Sequence, residues 1–310
     1  MTPQNTIYIV GAGAVGKALA VFLKFKGNNV IIIRGSIDDN SSHTEKIKVQ
    51  YNDTDEFESV IEISSLSKFK TLTGIVVLTN KSFGNQELSK VLKSKINTSP
   101  LVIMQNGLNI EVPFTDNYFS QIYRCVLFTS CQMVNSSTVK FKPVSISPIG
   151  IIEGNNQTLE LIVSQLQNEY LKFRVEENIQ PIIWTKAIIN CVFNSICPLL
   201  ETDNGIFYRN TYALDIAKRI LSDCISLAQK VGINLEVDEV TKTLLMISKS
   251  SDGQLISTYQ DLNNKRKTEI DSLNFALVDI ASRLKMDDLV KEVRLLGELI
   301  KLKSVLSLND

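Results

Sequence analysis

The stretch IYIVGAGAVGKALAVFL, residues 7–23, constrains this chain more than any other. A β-branched apolar run leads into Gly11, Gly13 and Gly16, and apolar residues then recur at Val15, Leu19, Phe22 and Leu23. That order spells strand, tight turn and amphipathic helix. In a G-x-G-x-x-G turn the first glycine permits the reversal and the second lets the backbone approach a pyrophosphate. The third allows close packing of helix on strand. The helix N-terminus then offers free N–H groups and a partial positive charge to phosphates. The whole segment Gly11, Ala12, Gly13, Ala14, Val15 and Gly16 is therefore the expected dinucleotide loop. A triphosphate loop, G-x-x-x-x-G-K, needs Ser or Thr after its lysine to ligate magnesium, and position 18 is Ala. Lys17 is expected to be a solvated residue of the first helical turn.

The rest of the first half repeats the strand and helix alternation. TIYIV and NVIIIR read as strands, with Gly27 closing the helix between them. GIVVLT and LVIMQ are continuous apolar runs, as expected of strands buried on both faces. KIKVQ and SVIEI suggest a hairpin or irregular insertion, while RCVLFTSCQMV, STVKFK and SISPIGIIE look antiparallel and turn-linked. From Pro181 onwards the patterns become helical, as in ALDIAKRILSDCISLAQKVG and EIDSLNFALVDIASRLK. The expected architecture is α/β: a Rossmann-type domain over residues 1–178, followed by an all-α domain over residues 179–310. With 310 residues, 44% of them apolar, each half can bury a core.

Charge and residue usage exclude several classes. Lys plus Arg and Asp plus Glu balance at 33 each, so nothing points to nucleic acid. No apolar run reaches the ~18 residues of a membrane span, and no secretory signal opens the sequence, so no membrane partner and a cytoplasmic location are expected. Five cysteines without a C-x-x-C pair read as free, mostly buried thiols. His43 is the only histidine and lies in a polar stretch, which argues against a His-based triad or metal site. Acid–base chemistry must use Lys, Asp, Glu, Tyr or Cys.

Polar residues gather where the strands end. The second strand ends in Arg34, followed by Gly35 and Ser36, where an NAD site usually has Asp or Glu about 20 residues past the glycines. A guanidinium there can clamp a 2′-phosphate, which favours NADP. Asp38 and Asp39 lie close by and keep NAD open. Lys81 follows the GIVVLT strand and can meet coenzyme phosphate or ribose, and Asn106 of QNG, past the LVIMQ strand, can meet the nicotinamide end. In the second half, Lys186, Asn190 and Asn194 are spaced i, i+4, i+8 on an otherwise apolar helix. Such a polar stripe is costly to bury without partners. Downstream, STYQDLNNKRKTEIDSLN contains Ser257, Asp261, Lys265 and Glu269. Ser257 can cap a helix, and Asp261 with Lys265 has the spacing of a surface pair.

Together the glycine loop, the strand-end Arg and Lys, QNG, W-x-K-x-x-x-N-x-x-x-N and S-x-x-x-D-x-x-x-x-x-x-x-E-I-D resemble the ketopantoate reductase family, in family order over nearly the whole chain. The resemblance implies NADPH-dependent reduction of 2-dehydropantoate to pantoate, a step of pantothenate biosynthesis. Lys186 would donate the proton to the ketone oxygen, and Glu269 would bind the substrate hydroxyl and support the lysine. Asn190 and Asn194 would hold substrate oxygens, Ser257 the carboxylate, and Asn106 the meeting point of nicotinamide and substrate. Gly11, Gly13, Gly16, Arg34 and Lys81 would bind the dinucleotide. The helical half can also offer a homodimer face. Two departures stand out: Phe275 replaces the glycine usual after EIDSLN, and VKFKPVSIS lacks the usual His- and Gly-containing strand pair. They leave room for a different branched 2-oxo acid. A non-catalytic NADP-binding regulator is the other reading, which retention of Lys186, Asn190, Asn194 and Glu269 opposes.

Overall fold

The computed structural model describes residues 6–35 and 38–309, with the side chains of 308 and 309 excepted. Ser36 therefore lies outside the described residues. The chain divides into two compact units, residues 1–105 with 110–179, and residues 106–109 with 180–310.

The first unit is built on one sheet. Strand β1 (Thr6–Val10) passes through the glycine loop into helix α1 (Ala14–Phe25) and on to β2 (Val30–Ile33). Then come β3 (Ser42–Tyr51), β4 (Asp55–Ser64), β5 (Gly74–Leu78), α2 (Asn85–Lys93), β6 (Leu101–Ile103) and α3 (Val112–Asp116). Strands β7 (Ile122–Cys125), β8 (Thr129–Met133), β9 (Thr138–Pro143) and β10 (Ser147–Glu153), helix α4 (Asn156–Leu166) and β11 (Phe173–Val175) complete it. The strand order is β11-β10-β7-β6-β5-β1-β2-β4-β3-β9-β8. From β1 the chain runs to β2 on one side and returns through β5, β6 and β7 on the other, all parallel. The loop after β1 therefore lies at the switch point of the sheet, where open α/β sheets bind ligands.

Alternation along the strands sends side chains to two cores. Ile7, Ile9, Ile32, Ile75 and Val77 pack with α1 and α4, while Tyr8, Val10, Ile33, Val76 and Leu78 pack with α2 and α3. Both faces are covered, which is why the strands read as unbroken apolar runs. KIKVQ and SVIEI form a true antiparallel hairpin, β3 with β4. Its turn has Asn52 and Asp53 at φ of 51° and 63°, and Thr54 N–H donates to the Tyr51 carbonyl. Two positive φ values in succession match the twist of paired strands, and Asn and Asp tolerate them.

That hairpin overturns the expectation for Lys17. Strands β3, β4, β8 and β9 extend the sheet over α1, so both sides of the helix are covered. Lys17 is only 5% exposed. Its ammonium lies 2.6 Å from Glu45 Oε1 and also donates to the Ser136 carbonyl. It is a buried, paired cation that ties α1 to β3 and to the turn before β9. Phe22, five residues on, meets Tyr51, Phe57, Phe141 and Tyr170 and anchors the same covering layer.

The second unit is helical. Helix α5 (Gln180–Leu199) precedes α6 (Ile206–Arg209), α7 (Thr211–Lys230), α8 (Val237–Ser250), α9 (Ser257–Asn263), α10 (Asn274–Arg283) and α11 (Lys291–Asn309). By length and composition α5 could cross a membrane. Here it is the central helix, touching α7, α8, α9 and α11, with Ile188, Val192, Phe193 and Cys197 at 1% exposure or less. Of the five free thiols, Cys125, Cys191, Cys197 and Cys224 are buried.

Candidate functional site

The glycine loop has the shape a pyrophosphate needs. Gly11, at φ +121°, donates its N–H to the Ile33 carbonyl at the end of β2. A methyl group on Gly11 would lie 2.5 Å from the backbone nitrogen of Asn80, and one on Gly16 would lie 2.0 Å from the Gly11 carbonyl oxygen. Around Gly13 there is open space to 4 Å. Gly13 is the N-cap of α1, and no side chain caps the helix. The first intrahelical bond is Lys17 N–H to the Gly13 carbonyl, so the N–H groups of Ala14, Val15 and Gly16 precede it without helical acceptors. Three oriented donors under open space fit a dinucleotide pyrophosphate.

Two neighbours of the loop escaped the sequence reading. Thr79 Oγ1 donates toward the Gly11 carbonyl at 3.1 Å and the Val10 carbonyl at 3.2 Å, bracing the turn. Asn80 packs against Gly35, and its Oδ1 is buried without a partner among the described residues. A buried acceptor lacking its donor fits a ribose hydroxyl. The polar pair before Lys81 at the end of β5 was the available signal. Lys81 itself is half-buried and begins the 3-10 turn Ser82–Gly84. Arg34 lies where expected, after β2, but its guanidinium already faces Asp39, with Nη2 to Oδ1 at 2.5 Å.

In the helical unit the polar stripe of α5 is real and graded. Lys186 and Asn190 are half-buried, and Asn194 is 2% exposed. Asn194 Nδ2 donates to the Asn190 carbonyl at 2.9 Å. Its Oδ1 accepts from Ser257 Oγ and from Thr258 N–H, each at 3.2 Å. This corrects the capping expectation for Ser257. Ser257 does not cap α9; it is the first helical residue, and the Asn194 carboxamide reaches across from α5 to accept an N–H of the first turn. Asn194 acts as a bracket between helices and holds Ser257, rather than standing free. Asn194→Ala should therefore strip α9 of its acceptor and cost about 1–3 kcal/mol of stability in urea unfolding. An unchanged midpoint would refute the bracket.

Asp261 is also not a surface residue. It is 5% exposed and paired with Arg266, Nε to Oδ1 at 3.0 Å. Helix α9 ends at Asn263, so Lys265, at φ +51°, lies past the last turn and outside helical i, i+4 spacing. Glu269 is half-buried at the start of the 3-10 turn Ile270–Ser272, and its carbonyl accepts from Ser272 N–H at 3.1 Å. The same unit includes Asn106 and Gly107 of the QNG segment. Leu108 N–H donates to the Ser272 carbonyl at 3.0 Å, and Gly107, at φ +120°, lies so close that a methyl would be 2.7 Å from Ser272 Cβ. Asn106 is thus fixed beside the turn that begins with Glu269. Phe275 turns toward α11. A methyl on Gly297 would be 3.1 Å from its ring, and Lys301 Nζ stands 3.8 Å over the ring centre. Gly297 accommodates the bulk that the missing glycine at 275 introduces. No group of three His, Cys, Asp or Glu able to hold a metal occurs among the described residues.

Fold and loop together define a dinucleotide-binding α/β protein with a helical second unit. The sequence model of the family described as ketopantoate reductase PanE/ApbA matches residues 7–149, and that of its C-terminal domain matches residues 178–304. The chain belongs to the ketopantoate reductase family, and it is an oxidoreductase of that family. It is 23% identical over 284 residues to the 2-dehydropantoate 2-reductase of Pyrococcus abyssi, covering 91% of this chain and 92% of that one. It is 25% identical over 276 residues to that of Streptococcus pyogenes serotype M18, covering 87% and 89%. The fold is shared with the dimeric ketopantoate reductase of Staphylococcus aureus, at TM-score 0.80 and 18% identity over 97% of this chain and 99% of that one. It is also shared with D-mandelate dehydrogenase in a ternary structure with NADH and anilino(oxo)acetate, at TM-score 0.83 and 21% identity over 98% and 100%.

Proposed function

We propose that this protein reduces 2-dehydropantoate to pantoate, a step of pantothenate biosynthesis, with NADPH as reductant. The observation that carries the reading is the α5 stripe, in which Lys186 and Asn190 lead to an Asn194 that holds Ser257 at the start of α9. A dinucleotide loop alone would serve a sensor equally well; Lys186, Asn190 and Glu269, retained together in the helical unit, are what oppose that reading.

The bound nicotinamide coenzyme supplies a hydride to the ketone carbon. Gly11, Gly13 and Gly16 let the backbone reach its pyrophosphate, Lys81 adds positive charge, and Asn80 accepts from a ribose hydroxyl. Arg34 meets the 2′-phosphate. Lys186 gives a proton to the ketone oxygen as negative charge develops there, so the C=O bond becomes CH–OH and the lysine leaves the step neutral. Asn190 orients the substrate oxygens, Ser257 binds the carboxylate, and Glu269 takes the substrate hydroxyl and supports Lys186. Asn194 is a positioning residue, and Asn106 meets nicotinamide and substrate. Free buried thiols suit a reducing cytoplasm, and the dimeric S. aureus relative supports a homodimer.

A second substrate is favoured by one observation, the fold likeness to D-mandelate dehydrogenase. Coenzyme absorbance should therefore be followed with ketopantoate and with phenylglyoxylate, using NADPH and NADH. Ketopantoate with NADPH should give the highest kcat/KM. A preference for phenylglyoxylate would move the substrate, and coenzyme binding without turnover on any 2-oxo acid would leave a regulator.

A further inference from the structure

The end of β2 holds an arrangement that the coenzyme assignment does not use. Arg34 Nη2 lies 2.5 Å from Asp39 Oδ1, and Nη1 lies 3.3 Å from Oδ2, so the guanidinium fork is already turned to a carboxylate. The same Nη2 is 2.7 Å from Ser41 Oγ and 2.8 Å from Ser65 Oγ. Both hydroxyls also reach Asp39 Oδ1, at 2.8 Å and 2.9 Å. The Ser41 hydroxyl, then that of Ser65 and the Arg34 guanidinium, hold the Asp39 carboxyl well below the usual carboxylate range. Asp39 is an anion at neutral pH.

The 2′-phosphate is the one group that separates NADPH from NADH. As a phosphate monoester it carries a charge of about −1.5 to −2. A carboxylate on the same guanidinium uses the donors that phosphate requires and repels it as well. The ribose of NADH offers hydroxyls instead, which carboxylates accept at this place in dinucleotide folds. We infer that Asp39 sets coenzyme selectivity: by holding Arg34 it lowers the preference for NADPH and keeps NADH usable. The inference rests on the coenzyme site proposed above. The Asp39 side chain is 49% exposed, so solvent screens the pair and a phosphate can still compete for Arg34. Asp39 tunes the choice without closing it.

Equilibrium titration of NADPH and NADH fluorescence, without substrate, tests this on the whole protein. Asp39→Asn keeps the shape and the serine contacts while freeing the charge of Arg34. The ratio of NADH to NADPH dissociation constants should rise roughly tenfold at low ionic strength, chiefly through tighter NADPH, and the rise should shrink as salt is added. Asp38 accepts from Ser67 N–H at 2.8 Å. Asp38→Asn removes the same charge one residue away and should move the ratio less than about twofold. The inference is overturned by an unchanged ratio in Asp39→Asn, by weaker NADPH binding there, or by equal shifts in both variants. If the wild type binds neither coenzyme, the coenzyme site itself is refuted, and the inference falls with it.

Discussion

Lys186→Ala should lower kcat by about 10²-fold or more while leaving the dissociation constant of the coenzyme within about twofold. The two expectations separate because Lys186 lies on α5 of the helical unit, whereas the coenzyme contacts assigned to the glycine loop, Arg34, Asn80 and Lys81 lie in the other. Packing of α5 rests on Ala187, Ile188, Ile189 and Val192, each at 3% exposure or less, so the half-buried Lys186 can be shortened without emptying a core. A lost proton donor acts in the transition state, so kcat should fall with kcat/KM, with little change in KM. Lys186→Arg sharpens the result. It keeps a positive charge near the ketone oxygen but holds its proton too tightly to pass it on. Turnover intermediate between wild type and Lys186→Ala would divide the effect into charge stabilisation and proton donation. Turnover within threefold of wild type in Lys186→Ala would remove this residue from the chemistry.

Periodicity carried much of this molecule, because period-2 and period-3.6 patterns are local. The strands around β1, the α1 helix with Gly27 behind it and the largely helical second half could be read from residues a few positions apart. What escaped depends on contacts far apart in sequence. Nothing near Lys17 says that a hairpin starting at Ser42 will cover it, and the letter K on a first turn looks solvated until Glu45 arrives. Asn194 was legible as an anomaly, a polar side chain on an apolar helix, but its partners lie 63 and 64 residues away. Asp261 looked like one half of a helical pair because the end of α9 at Asn263 carries no proline or glycine to announce it. Phe275 looked like a change in the site until Gly297 showed where the ring is received. In each case the residue was flagged and its partner was missing. The assignment of Asn106 and Gly107 to the helical unit is of the same kind, since it needs Ser272 to explain Gly107.

The glycine loop makes the second large expectation, because its glycines should fail in different ways. Gly16→Ala places a methyl 2.0 Å from the Gly11 carbonyl oxygen and 2.7 Å from Thr79 Oγ1. The first is backbone and the second braces the turn, so neither can swing aside; α1 must move away from β1. Overpacking of this kind costs about 1–3 kcal/mol or more, and the displaced N–H groups of Ala14 and Val15 no longer converge on one phosphate. Both the unfolding midpoint and coenzyme affinity should drop, the latter by ~100-fold. Gly13→Ala meets nothing within 4 Å, and its backbone at φ −79° is one that alanine adopts freely. Stability should change by less than ~1 kcal/mol. Its methyl would nevertheless stand in the open space over the helix N-terminus, where the pyrophosphate is assigned, and coenzyme binding should weaken at least tenfold. Thermal unfolding and fluorescence titration on the two variants give four values. A stable Gly13→Ala that binds coenzyme like the wild type would show that the pyrophosphate lies elsewhere. An undisturbed Gly16→Ala would show that the close approach of α1 to β1 is not what the third glycine is for.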